Sequence, residues 1–136
     1  MDRTIIRLVG AATVAAMALA ATSMGQGPRL AAGSVVGLPS FVMMILSRRQ
    51  LGRSFSMMPV ARALVTAGVY SKIQHPMYLF LDLFLVALIV VLHWPVLLLA
   101  WGILVVVQTL QSRREDKVLA AAFGADYEGY RSQTWF

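Results

Sequence analysis

No cysteine occurs in the sequence, which excludes a disulfide framework, thiolate chemistry and any cysteine-based metal site. Histidine is nearly as scarce, with His75 and His93 the two present. Charge is scarce too: 13% of the 136 residues are charged, about half the roughly 25% of a soluble domain. The shortage falls on the acidic side, with Asp+Glu 6 against Lys+Arg 12 and a net charge of +6. In a soluble protein that excess would suggest a nucleic-acid partner. Here the basic residues sit in connections between apolar blocks, where the positive-inside rule accounts for them, and no nucleic acid is expected.

What the chain has in quantity is uninterrupted apolar sequence, 59% hydrophobic overall. Four blocks stand out: Ile5 to Met24, broken by Arg7; Leu30 to Leu46, with Pro39 inside as an expected kink; Met77 to Leu92; and Val96 to Leu110. Blocks two to four lie at or just under the roughly 17–25 residues that a spanning helix needs, so flanking residues are expected to join them. In lipid every backbone polar group must be satisfied within its own segment, so the blocks are read as helices. The predicted fold is all-α: a single polytopic membrane domain over 1–136 with about four transmembrane helices. Residues 1–46 supply two N-terminal helices and 47–136 the core.

The loops set the orientation. Arg3 and Arg7 precede or open block one. Arg48, Arg49, Arg53, Arg62 and Lys72 lie between blocks two and three, and Arg113, Arg114, Lys117 and Arg131 follow block four. The other two connections hold Arg29 or no basic residue. Both termini are therefore predicted to be cytoplasmic. A rival reading of block one is a cleaved signal peptide, with "ALA" at 18–20 as the cleavage site. It would leave three helices and the same cytoplasmic C-terminus.

The connection from Ser47 to Pro76 is long for a compact protein and mixes aromatic and aliphatic residues with Gly and Pro. It is read as a folded re-entrant or interfacial segment with a turn at Ala67–Gly68. After block four, Ser112 to Phe123 reads as a separate cytoplasmic helix with Gly124 as its C-cap.

Chemistry-bearing residues gather at one membrane boundary. Pro76 suits a first helical turn, which makes His75 the N-cap of block three and leaves free amides there, a ready acceptor for a carboxylate or phosphate. His75, Tyr78 and Asp82 are spaced i, i+3 and i+7 and share one face. An ionisable residue at the depth of Asp82 costs about 3 kcal/mol on insertion scales. It either serves function or pairs with Arg113 or Arg114. Gln108, Ser112 and Glu115 line one face of block four as it leaves the bilayer. "HWP" (93–95) joins blocks three and four tightly, so they are antiparallel neighbours and the two polar faces can converge. Glu115 and Asp116 point about 100° apart on a helix, so one is free for a ligand while the other pairs with arginine. His93 and Trp94 fall at the opposite face, where an aromatic belt explains them. Two histidines on opposite sides cannot share an ion, and no metal site is expected.

The ordered set "LGRSF" (51–55), "LVTAGVY" (64–70), "HPMY" (75–78), a hydrophobic hairpin and "RREDKVLAAAFGADYEGYRSQT" (113–134) resembles the isoprenylcysteine carboxyl methyltransferase and phospholipid methyltransferase superfamily. The resemblance covers roughly residues 48 to 134. It implies a small integral-membrane methyltransferase that uses S-adenosylmethionine, with a pocket open to the cytosol and a lateral route from lipid. The cofactor-binding residues it implies are Gly68, Tyr70, Gln74, His75, Tyr78, Glu115, Asp116, Tyr127 and Tyr130. Candidate catalytic residues are Arg131, Glu115 and Asp82. Departures are Gln74, where the family often has arginine, Glu-Asp in place of Glu-Glu, and an end at Phe136, before the family's further C-terminal contacts.

A methyl sulfonium donor carrying both an ammonium and a carboxylate needs a negative and a positive site. Glu115 or Asp116 suits the first; the helix start at His75, with Arg131, suits the second. Tyr70 and Tyr78 can pack on adenine or face the sulfonium. A carboxylate or thiolate acceptor needs no base, whereas an amine needs one, with Asp82, His75 and Glu115 as candidates. The expected partners are membrane lipids and a lipophilic or lipid substrate. The sequence leaves the acceptor and the oligomeric state open. The alternatives are a reductase-like relative binding a nicotinamide cofactor, which the short chain disfavours, and a non-catalytic helical membrane protein.

Overall fold

The sequence's four apolar blocks become four helices. The computed structural model describes residues 3–52 and 64–134, and these are all-α: α1 (Arg3–Thr22), α2 (Gln26–Leu51), α3 (Pro76–Leu92) and α4 (Leu97–Gln133), with a 3-10 turn at Gly68–Ser71 ahead of α3. Of the expected re-entrant segment, residues 53–63 lie outside the described residues, and the turn expected at Ala67–Gly68 is the start of the 3-10 turn. α1 and α2 are long and apolar enough to cross a membrane. α3, with 17 residues, reaches about 25 Å at 1.5 Å per residue. Large side chains face outward in number, among them Val35 (72% exposed) and Leu99 (73%), a surface suited to lipid rather than water. The protein is an all-α membrane protein.

Local chemistry explains the boundaries. α2 starts earlier than its apolar block because Pro28 falls in the first turn, where a missing N–H breaks no helical bond. It runs on through Pro39 and ends with Arg48 and Arg49 in its last turn, favourably placed for the helix dipole. α3 ends at His93 in the left-handed region (φ 58), a conformation in which histidine is enriched, and the His93 and Trp94 amides close back on Val90 and Ile89. The hydroxyls of Thr13, Ser40, Ser47 and Thr109 each donate to the carbonyl four residues earlier, which satisfies them without water.

One boundary differs from expectation. Block four and the tail were expected as two helices, but α4 carries straight on from one into the other. No helix-breaking residue lies between Leu110 and Ser112, and the change from apolar to charged sequence alters what surrounds the helix rather than its backbone.

The core is built by Ala18 of α1, Val86, Ile89 and Val90 of α3, and Trp101 and Val105 of α4. α3 packs most extensively on α2. There Gly33 and Gly37 form a G-x-x-x-G face that brings two backbones together. A Cβ at Gly33 would collide with the Val91 side chain and stand 3.1 Å from the Ala87 carbonyl; one at Gly37 would stand 3.1 Å from the Ala87 Cβ. Gly33→Leu is therefore expected to destabilise the protein by about 1–3 kcal/mol through overpacking. Gly27→Ala, where a Cβ meets nothing within 4 Å, is the matched control for unfolding in detergent.

Candidate functional site

α3 begins as the sequence predicts, with Pro76 in its first turn and His75 as N-cap, and no side chain caps its first-turn amides. The chain leading into it is anchored on two sides. The Val69 amide donates to Gln50 Oε1 at 2.9 Å, and the Tyr130 hydroxyl donates to the Tyr70 carbonyl at 2.8 Å. Gly68 stands at φ +63, and a Cβ there would sit 2.5–2.6 Å from the Gln50 amide group, so the position admits only glycine without rearrangement.

His75 sits between the two acidic residues that follow block four. Its Nε2 is 3.0 Å from Asp116 Oδ1 and its Nδ1 is 3.4 Å from Glu115 Oε2. The adjacent carboxylates therefore do not divide between a ligand and an arginine as their angular separation suggested, because one imidazole bridges both. Asp116 Oδ1 also accepts from Gln74 at 2.7 Å and from the Tyr127 hydroxyl at 2.8 Å, and Gln74 donates to Tyr127 as well. Gln74, the departure from the resembled pattern, is thus built into the cluster. Glu115 accepts from the Tyr78 hydroxyl at 2.7 Å and from Gln111 at 3.5 Å. The His75 and Tyr78 rings stack with centroids 5.7 Å apart.

Tyr127 reaches Asp116 because α4 breaks between them. Eleven residues of straight helix would separate the two by about 16 Å along the axis. Gly124 (φ 50, ψ −122) interrupts the helical backbone, and the last segment folds back onto the cluster. The expected glycine stop is correct; the helix resuming after it was not foreseen. Arg131, in the last turn, lies close enough to Tyr127 for its charge to act on that phenol.

Asp82 is one helical turn further along α3 than Tyr78. Its partner is neither Arg113 nor Arg114: the Gln108 amide, oriented with nitrogen toward the carboxylate, donates to it at 2.8 and 3.2 Å. Arg113 donates instead to Thr4 Oγ1 of α1, at 2.6 and 3.0 Å. Asp82 and Gln108 form a second tier beneath the His75 cluster and line an apolar cavity of about 230 Å³. α1 forms one wall with Arg7, Gly10, Ala11 and Val14; α3 and α4 supply His75, Tyr78, Leu79, Leu83, Trp101, Val105 and Thr109. Arg7 also donates to the fully buried Ser112 hydroxyl.

Sequence reasoning assigned Arg7 only to loop charge and did not single out Trp101. The available signal for Arg7 was a guanidinium inside an apolar block, which calls for a partner. Among the described residues no group of His, Cys, Asp and Glu could hold a metal ion.

The model of the phospholipid methyltransferase family matches residues 28–126. The chain belongs to the phospholipid methyltransferase family. That is a family of membrane methyltransferases, and the match runs through α2, α3, the acidic pair and Gly124. α1 and the Tyr127, Tyr130 and Arg131 segment lie outside it. No curated protein and no solved structure matches the chain.

In this methyltransferase-family chain the cluster is held as an ion triad. Burial works against the charged His75 ring, but the hydrogen bonds it donates to Asp116 and Glu115 outweigh that and raise its pKa above the ordinary value. Burial likewise opposes charge on Glu115 and Asp116, but hydrogen bonds from His75, and from Tyr78 and Tyr127, hold both below the usual carboxylate range. A raised histidine contributes stability that is full below its unfolded value, near 6.5, and is lost as pH rises through the folded one. Depressed carboxylates contribute stability above their unfolded values, near 4, that is lost as pH falls through the folded ones. Thermal unfolding in detergent should therefore show a plateau between these limits. His75→Gln should flatten the alkaline limb; an unchanged alkaline limb in that variant contradicts the assignment.

Proposed function

We propose that the protein transfers a methyl group from S-adenosylmethionine to a lipophilic acceptor at the cytoplasmic boundary of the membrane, with the helices spanning the bilayer and both termini cytoplasmic. The observation that carries this reading is the contact between two unlike sites: a buried ionic cluster and an apolar cavity that share His75 and Tyr78. The family match supports methyl transfer as the chemistry.

The residues fit such a donor. Glu115 has one short hydrogen bond and two longer contacts, and its side chain is 22% exposed, so it retains acceptor capacity for an ammonium group. The uncapped first-turn amides of α3, with Arg131, suit a carboxylate. Tyr70, Tyr127 and Tyr130 remain protonated: burial first, then neighbouring negative groups, push Tyr70 and Tyr130 up to about 12 and Tyr127 higher. Of these the half-buried Tyr130 ring can pack on an aromatic base, and the half-buried Tyr78 can meet a cation. The bound donor supplies a methyl group on a positively charged sulfur. The protein's part is to orient the reactants and exclude water as that charge is lost.

The test is incubation of the protein, reconstituted in lipid nanodiscs, with methyl-labelled S-adenosylmethionine and a membrane lipid extract. Label should enter the organic phase and fall at least a hundredfold with His75→Ala. A folded wild type that transfers none, and a His75→Ala variant altered in stability alone, would favour a non-catalytic helical protein.

A further inference from the structure

The cavity between α1, α3 and α4 has a largely apolar lining, and two of its polar groups, Asp82 and the Trp101 indole, lie close together. The Trp101 indole N–H is buried in the wall; its interaction with the Asp82 carboxylate is at most a weak hydrogen bond, and it has no other partner among the described residues. Asp82 already receives the Gln108 amide. A group seated there is best matched if it both accepts a hydrogen bond, from Trp101, and donates one, to Asp82. A hydroxyl does both, whereas an ammonium only donates and would leave the indole unsatisfied. The Arg7 guanidinium in the same small cavity further disfavours a cation. A cavity of about 230 Å³ exceeds the ~150 Å³ that holds benzene in an engineered apolar site, which leaves room for one substituted ring.

We propose that this cavity is the acceptor pocket, and that its acceptor is a small, uncharged phenol whose hydroxyl sits between Asp82 and Trp101. The inference rests on the proposed methyl transfer for the role of the pocket, not for its occupancy. The chemistry favours a phenol over an alkanol. A carboxylate is a weak base, and a phenol near pKa 10 gives up its proton far more readily than an alcohol near water's ~15.7. The phenol oxygen forms the new O–CH3 bond as the sulfonium donor's C–S bond breaks. The electron pair of that bond stays on sulfur, and the phenol proton passes to Asp82. α1, which the family match leaves out, sets the width of the pocket through Gly10 and Ala11.

The experiment uses the protein in nanodiscs with three probes of similar size: 4-ethylphenol, phenethylammonium and, as the shape control, ethylbenzene. The readouts are the Trp101 indole 15N–H resonance and methylated product. 4-Ethylphenol should shift the Trp101 signal downfield in a saturable way and bind at least tenfold more tightly than either other probe. Gly10→Leu, at a position where a Cβ meets nothing within 4 Å, should abolish that binding while S-adenosylmethionine binding persists. Asp82→Asn should retain phenol binding within a few-fold and slow methylation at least a hundredfold. Equal binding of phenethylammonium or ethylbenzene, or no binding by any probe in a protein that binds the donor, overturns the proposal. Phenol binding without donor binding instead overturns the methyltransferase reading and leaves the pocket assignment standing.

Discussion

Asp116→Ala is expected to cost about 3–5 kcal/mol of stability, the largest loss of any single substitution in the cluster. One carboxylate oxygen collects Gln74, the His75 ring and the Tyr127 hydroxyl, which come from two separate parts of the chain, the entry to α3 and the end of α4. Deleting it leaves the buried imidazolium with only the longer Glu115 contact at 3.4 Å, removes an acceptor from Gln74 and Tyr127, and loosens the last segment of α4 from the start of α3. Water cannot readily take over, because His75 and Gln74 are both at least nine-tenths buried. The double variant His75→Phe, Asp116→Leu should recover much of the loss, because replacing a buried ion pair by packed apolar groups removes the desolvation cost along with the attraction. Denaturant unfolding of the reconstituted protein measures both. Additive losses in the double variant would show that the two residues do not act as a pair.

Glu115→Gln is expected to behave in the opposite manner, with a modest stability change and a tenfold to hundredfold loss of S-adenosylmethionine affinity. Glu115 holds its partners more loosely than Asp116 does: Tyr78 at 2.7 Å, His75 at 3.4 Å and Gln111 at 3.5 Å. A glutamine keeps the shape and a carbonyl acceptor for Tyr78 but removes the negative charge. A charge-assisted hydrogen bond is worth about 1.5–3 kcal/mol, which corresponds to that affinity range. Calorimetric titration measures it directly. Affinity within twofold of wild type would remove Glu115 from the donor site. The contrast between the neighbours matters more than either value, since sequence adjacency offers no reason for Asp116 to govern folding and Glu115 binding.

Much of this architecture could be read from residue types. Four apolar blocks, Pro76 after His75, and the polar spacings along blocks three and four placed the helices and the boundary where the chemistry collects. The spacing Gln108, Ser112, Glu115 did what a helix face should: the three residues meet Asp82, Arg7 and Tyr78 in turn. Missing was what depends on a third element. Arg7 looked like loop charge because nothing local says that α1 lies against α4, and the Gln50 contact with Gly68 joins residues that no periodicity relates. The refolding of α4 beyond Gly124 was hidden for a different reason. Glycine signals a stop, but only tertiary packing of Tyr127 and Tyr130 decides that the helix resumes.

The central claim is that the His75, Glu115 and Asp116 cluster binds a methyl sulfonium donor. Titration of the folded protein with S-adenosylmethionine and its demethylated product tests it most directly. Saturable binding of both ligands, lost with His75→Ala and weakened at least tenfold with Glu115→Gln, is the predicted result. No binding by folded wild type, or binding that survives both substitutions, would contradict it.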